Sequence, residues 1–137
     1  MLVVLDTGIY VSAAISPAGT ARRVVQAGIE GRFDYAVCPT LLAELDDVLA
    51  RPKIARLLPP DAAGRFVADV RGRARVEPDP AQPRRMTRDP KDDYLVALAS
   101  AVRADRIVTG DADLLDLQDP PVVVVSLRSF ADVLDAT

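Results

Sequence analysis

Residues 2–5 (Leu-Val-Val-Leu) and 122–125 (four valines) carry no polar side chain. A strand built from such a run has no face to turn to water, so it has to be covered on both sides, as strands are in a parallel sheet flanked by helices. Residues 33–38 and 106–109 are two more short, largely apolar runs that read as strands. Stretches of helical periodicity separate them. One covers about 8–15, broken by Ser16-Pro-Ala-Gly19; a second carries Val24, Val25 and Ile29, with Thr20 suited to cap it and Gly31 to close it. A third opens at Pro39 and lines up Leu41, Leu42, Leu45, Val48 and Leu49 before Arg51-Pro52 stops it. A fourth covers about 61–72.

Residues 74–77 have a weaker strand signal and are read as one because the alternation of elements leaves a gap there. Four prolines within 78–90 and no hydrophobic period predict a surface loop. It leads into a helix over 91–102 that is apolar nearly all round and therefore buried. Gly110-Asp-Ala-Asp113 turns out of the 106–109 strand, and a helix over about 127–134 ends the chain. Strands alternating with helices predict the α/β class with a parallel sheet.

Half of the 137 residues are hydrophobic, enough for one core, so a single domain over 1–137 is expected. No apolar run approaches the roughly 18 residues that cross a bilayer, and no basic leader precedes the first strand. A soluble cytoplasmic protein without a membrane partner is the expectation. The lone Cys38 excludes an internal disulfide and a multi-cysteine zinc site, and reads as core. Histidine is absent, which removes the base of Ser-His-Asp and Cys-His enzymes; catalysis would fall to carboxylates. The formal charge of −3 provides no overall positive field for nucleic acid, leaving only local segregation of charge.

Ligands in open parallel sheets bind at the carboxyl ends of strands. With the usual right-handed crossovers, Asp6 after the first strand, Glu44 early in the helix after the second, Asp92 and Asp93 at the start of the buried helix, and Asp111 after the 106–109 strand all reach one rim. Carboxylates gathered without a cation repel one another, and a hard divalent cation, Mg²⁺ or Mn²⁺, is the natural counter-ion. Such an ion can generate hydroxide and neutralise a phosphate under attack, which makes phosphodiester hydrolysis the reaction class that fits.

Each acid also has an ordinary structural explanation. Asp6 can cap a helix; Asp92 and Asp93 suit the positive end of the helix dipole; Asp111 and Asp113 suit a turn. Asp93, one turn before Val96 and Ala97, is expected to face the interior side of the rim, whereas Asp92 is accounted for by the dipole. Glu44 and Asp46 flank opposite edges of the leucine stripe, so the helical wheel does not choose between them, while axial position favours Glu44. Arg22, Arg23, Arg84, Arg85 and Arg88 read as solvated charge or, near the rim, as contacts for RNA phosphates.

Leu5-Asp-Thr7, Pro39-Thr-Leu-Leu-Ala-Glu44 with Arg51-Pro-Lys53, Arg88-Asp-Pro-Lys-Asp-Asp-Tyr-Leu-Val-Ala-Leu-Ala99 and Val108-Thr-Gly-Asp-Ala-Asp-Leu-Leu115 together resemble the PIN domain, in order over nearly the whole chain. Within it they are most similar to the toxin components of bacterial toxin–antitoxin systems, the VapC-like ribonucleases. The resemblance implies a three-layer α/β/α sandwich with a central parallel sheet and an Mg²⁺- or Mn²⁺-dependent endoribonuclease site. Its catalytic acids would match Asp6, Glu44, Asp93 and Asp111, its metal ligands Asp6, Asp93 and Asp111 with Asp113 in support, and Thr7 and Thr109 the small polar residues that orient them. It further implies an RNA substrate, a cognate antitoxin and a homodimer. The chain departs from the pattern at Gly8, where the family usually has asparagine or serine. That departure motivates a second reading, a PIN module that binds RNA or a partner without cleaving. A receiver-type phosphoacceptor module fits less well, because the first strand does not end in paired acids and no lysine follows the last strand.

Overall fold

The computed structural model describes residues 1–81, 85 and 87–137, so residues 82–84 and 86 of the expected 78–90 loop lie outside it. In chain order the elements are β1 (Leu2–Leu5), α1 (Thr7–Ile15), α2 (Thr20–Ile29), β2 (Asp34–Val37), α3 (Pro39–Leu49), α4 (Pro52–Ala55) and α5 (Ala62–Arg73). They continue with β3 (Arg75–Val76), α6 (Pro90–Ala101), β4 (Arg106–Thr109), α7 (Ala112–Leu115), β5 (Val123–Ser126) and α8 (Leu127–Asp135). The strands form one parallel sheet of five in the order β3-β2-β1-β4-β5. β1 lies at its centre, and its four residues are buried, as their lack of any polar side chain requires.

Helices cover the sheet in an α/β/α sandwich. On one side α1 packs on α2 and α3, α2 on α5 and α8, and α3 on α5; α6 lies against β1 and β4. The core runs through all three layers, with Tyr10, Tyr35, Phe130, Leu45 and Leu98 among its large, fully buried side chains. Burying a side chain of the size of Leu45 contributes roughly 1.5–3 kcal/mol. Phe33 stands edge-on to Phe130, with ring centroids 5.1 Å apart, and locks α8 to the end of α2.

Local chemistry sets the helix ends. Gly31 takes φ of +85°, and the amides of Arg32 and Gly31 donate to the carbonyls of Ala27 and Gly28, the paired bonds of a Schellman stop. The same pair closes α6, where Arg103 holds a φ of +56° that glycine would adopt without strain. Thr20 does not cap α2: Gly19 holds the capping position and no side chain bonds there, because the Ser16–Gly19 turn delivers Thr20 already inside the helix. Two short helices, α4 and α7, were not foreseen. Pro52 starts a new turn instead of only ending α3, and Asp111 converts the expected turn into α7 by accepting the Asp113 amide at 2.9 Å.

Candidate active site

The strand order reverses at β1: β2 and β3 are added on one side of it, β4 and β5 on the other. Connections that diverge from neighbouring strand ends open a crevice, the usual ligand position in such sheets. β1 ends at Leu5 and β4 at Thr109, so Asp6 and Asp111 stand on its two lips. A cleft of about 450 Å³ lies there, and Asp6, Glu44, Asp89, Asp92 and Asp111 all contribute to its wall.

Asp6 is the cap of α1, with Oδ1 accepting the Ile9 amide at 3.0 Å, while its Oδ2 accepts the Thr109 hydroxyl. Thr109 is fully buried, and its Oγ1 in turn accepts the Asp111 amide at 3.0 Å. The structural and the site-facing readings of Asp6 and Asp111 therefore coincide: capping fixes the backbone side of each carboxylate and leaves the group at the crevice.

Asp92 hangs from the first turn of α6 into the same cleft. Its Oδ2 is buried with no hydrogen-bond partner among the described residues. Burial foremost, and then the carboxylates of Asp111, Asp89 and Asp6, push its carboxyl up to about 7. Oxygens of Asp92, Asp111 and Asp113 lie within 4.8 Å of one another. A buried carboxylate oxygen without a donor, facing two further carboxylates, fits a hard divalent cation.

The structure brings Asp6, Glu44 and Asp111 to one cleft and sets Asp113 beside Asp111. Asp93 is placed differently from the expectation that it would meet them: it is 5% exposed, does not line the cleft, and accepts the Thr87 amide on Oδ1 at 2.6 Å. With Asp89 capping a helix that begins at Pro90, the third residue of α6 overhangs the strand ends and the fourth rotates underneath. Which of two adjacent aspartates faces the crevice depends on that starting residue, which the sequence leaves open by one. Glu44, rather than the exposed Asp46, reaches the cleft, where its Oε1 lies 3.7 Å from Lys91 Nζ. Lys91 itself was not singled out from the sequence; no spacing rule marks one lysine at a helix start as a cleft wall.

Thr7 and Gly8 also line the cleft. A Cβ at Gly8 would stand 3.1 Å from Asp6 Oδ1, so the glycine keeps the space beside that carboxylate clear. The arginines divide. Arg22 lies over the Phe66 ring and donates to the Ala13 carbonyl at 2.8 Å, a packing role. Arg23 pairs with Asp135 at 3.6 Å on a neighbouring groove, Arg88 borders another beside Asp113 and Asp116, Arg85 is exposed, and Arg84 lies outside the described residues. Cys38 is buried and hydrogen-bonded to the Tyr94 hydroxyl, and burial pushes its thiol up, which suits packing and not nucleophilic attack.

Among known proteins, a family profile described as a PIN domain matches residues 2–113. An uncharacterized protein of Methanocaldococcus jannaschii is 26% identical over 117 residues, covering 85% of this chain and 75% of that protein. The fold is similar to the crystal structure of a Pyrobaculum aerophilum protein, with a TM-score of 0.68 and 21% identity over the full length of both chains. It is also similar to VapBC2 of Rickettsia felis, solved bound to a DNA fragment from its promoter, with a TM-score of 0.66 and 15% identity over 92% of this chain and 98% of that one. No helix among the described residues is long and apolar enough to cross a membrane.

Proposed function

The chain belongs to the PIN-domain family, and from that premise we propose that it is an Mg²⁺- or Mn²⁺-dependent endoribonuclease that hydrolyses RNA phosphodiester bonds in the cytoplasm. PIN domains are generally nucleases. The observation that carries the reading to this chain is the meeting of Asp6, Asp92 and Asp111 at the switch point of the sheet, with a buried Asp92 oxygen that has no donor among the described residues.

Asp6, Asp92, Asp111 and Asp113 would hold the cation. When bound, it supplies charge neutralisation at the phosphate and an acidified water. Thr109 and the Ile9 amide keep the Asp6 carboxylate at one orientation, so little reorganisation accompanies binding. Asp92, its carboxyl pushed up to about 7, would have to be ionised to hold the cation. Glu44, steadied by Lys91 on the facing wall, orients a water and accepts its proton as the phosphate is attacked.

The likeness in fold to VapBC2 supports a toxin role with silencing by a cognate antitoxin, and assembly as a homodimer is part of the same proposal. Gly8 favours a second reading, because no polar side chain follows Thr7 to steady the first acid; here the domain binds RNA or a partner without cutting it. Titration calorimetry with Mn²⁺ separates the two, since a module without catalysis has no use for metal at this rim.

The direct test is cleavage of RNA by purified protein in Mn²⁺. Asp6→Asn and Asp92→Asn should each abolish it while the circular dichroism spectrum stays unchanged. Cleavage that survives both substitutions rejects the site.

A further inference from the structure

Five carboxylates, those of Asp6, Glu44, Asp89, Asp92 and Asp111, line the acid cleft against one cation among its described wall residues, Lys91. A divalent ion leaves that wall still negative. Affinity for a polyanion has to come from an adjoining surface, since phosphate binding rests on neutralisation by Lys and Arg.

Two grooves lie next to the cleft. The first, with Arg88 against Asp113 and Asp116, carries more acid than base and shares no wall residue with the cleft. The second, of about 460 Å³, runs between the ends of β4 and β5 and helices α2 and α8 and shares Gly110 and Leu127 with the cleft. Its cations are Arg23 and Arg128, its hydroxyls include Thr20 and Ser126, and its acid is Asp132. On crossing Gly110 the excess of acid ends, since the two arginines face only Asp132 and the Arg23-paired Asp135, and Gly110 has nothing within 4 Å of where a Cβ would be, so the passage between the two is open.

Resting on the nuclease reading, we infer that an RNA strand held at the acid cleft continues over Gly110 into this second groove, where Arg128 and Arg23 bind the phosphates flanking the one to be cut. Arg128 is exposed at the second position of α8 and has no ion pair or hydrogen bond among the described residues. Arg23 is paired with Asp135, but both side chains are more than half exposed, at 58% and 57%, and such a pair yields readily to a phosphate. The start of α8 adds the positive end of its dipole to the same wall. Anchoring on one side of the cleft only would give the strand a direction and fix which bond faces Asp6 and Asp111.

The test measures binding of a fluorescent single-stranded RNA of about ten nucleotides by anisotropy across a salt series in EDTA, so that cleavage plays no part. Arg23→Gln with Arg128→Gln should lower the slope of log K against log salt by about 1.4, roughly 0.7 per lost phosphate contact on a single strand. Arg128→Gln alone should give about half of that. Arg65→Gln with Arg71→Gln, which remove the same charge from α5, should leave the slope at its wild-type value. A wild-type slope in the double groove variant overturns the proposal and leaves the nuclease reading intact, because cleavage in Mn²⁺ is assayed separately. Wild-type protein that does not bind the RNA overturns it as well.

Discussion

The Thr109 hydroxyl donates to Asp6 and accepts the amide of Asp111, although 103 residues separate Thr109 from Asp6. One buried side chain thus sets the spacing between the two lips of the cleft. Thr109→Val keeps the shape and removes these bonds. Mn²⁺ affinity by calorimetry should fall about 10–100-fold, the usual cost of losing a group that orients a ligand. Unfolding should come earlier by about 1–3 kcal/mol, because the Asp111 amide loses its acceptor. Thr109→Ser should restore both; a valine variant that binds Mn²⁺ like wild type would remove Thr109 from the site.

Asp92 gives the metal-free protein a pH dependence of known sign. Its carboxyl sits at about 7 in the folded chain against an ordinary 3.8, so between those values the native state keeps a proton that the unfolded chain has lost. Stability contributed by this group is complete below the ordinary value, falls as pH rises through that window and levels off above about 7. Asp92→Asn should flatten that part of the curve of Tm against pH and raise Tm at pH above about 7. Mn²⁺ binding to wild type should weaken below the same pH, with protons released on binding. An unchanged Tm–pH profile in the variant would refute the assignment.

Asp92 and Asp93 should respond in opposite ways to truncation. Asp93→Ala removes the acceptor of the Thr87 amide and should destabilise the fold by about 1–3 kcal/mol in urea. Asp92→Ala should leave stability at neutral pH equal or higher and abolish Mn²⁺ binding. Metal binding that vanishes with Asp93→Ala at unchanged stability, and survives Asp92→Ala, would reverse the roles.

Gly8→Ala sets two effects against each other. Alanine in the first turn of α1 favours the helix by up to about 1 kcal/mol, whereas its Cβ, 3.1 Å from Asp6 Oδ1, presses on the carboxylate. Thermal unfolding should shift upward and Mn²⁺ affinity downward. A variant that gains stability with unaltered affinity would show that the space beside Asp6 is not used.

Residues 2–5 and 106–109 match β1 and β4, but the valines of 122–125, expected to be covered on both faces, fall on the edge strand β5 (Val123–Ser126), where Val123 is 60% exposed because no further strand among the described residues closes that side. β3 has only two residues, both exposed, and could be placed only by the rhythm of its neighbours. Glu44 over Asp46 followed from height along α3, a property a sequence carries. Asp92 over Asp93 did not, since a turn of about 100° between adjacent residues outweighs any difference in composition. The arginines were the least legible: Arg22 is held by a carbonyl and a ring, while Arg128 borders a groove whose walls come from five separate elements.

β1 leaves the ribosome well before β4, its partner in the crevice, because about a hundred residues lie between them. A nascent chain therefore carries Asp6 through most of translation with nothing opposite it, and the crevice first exists once residues 109–111 have emerged and docked. Closing so long a loop is slow compared with local helix formation. A chain that ends before β4 has Asp6 but not Asp111, so it lacks one of the crevice's two lips.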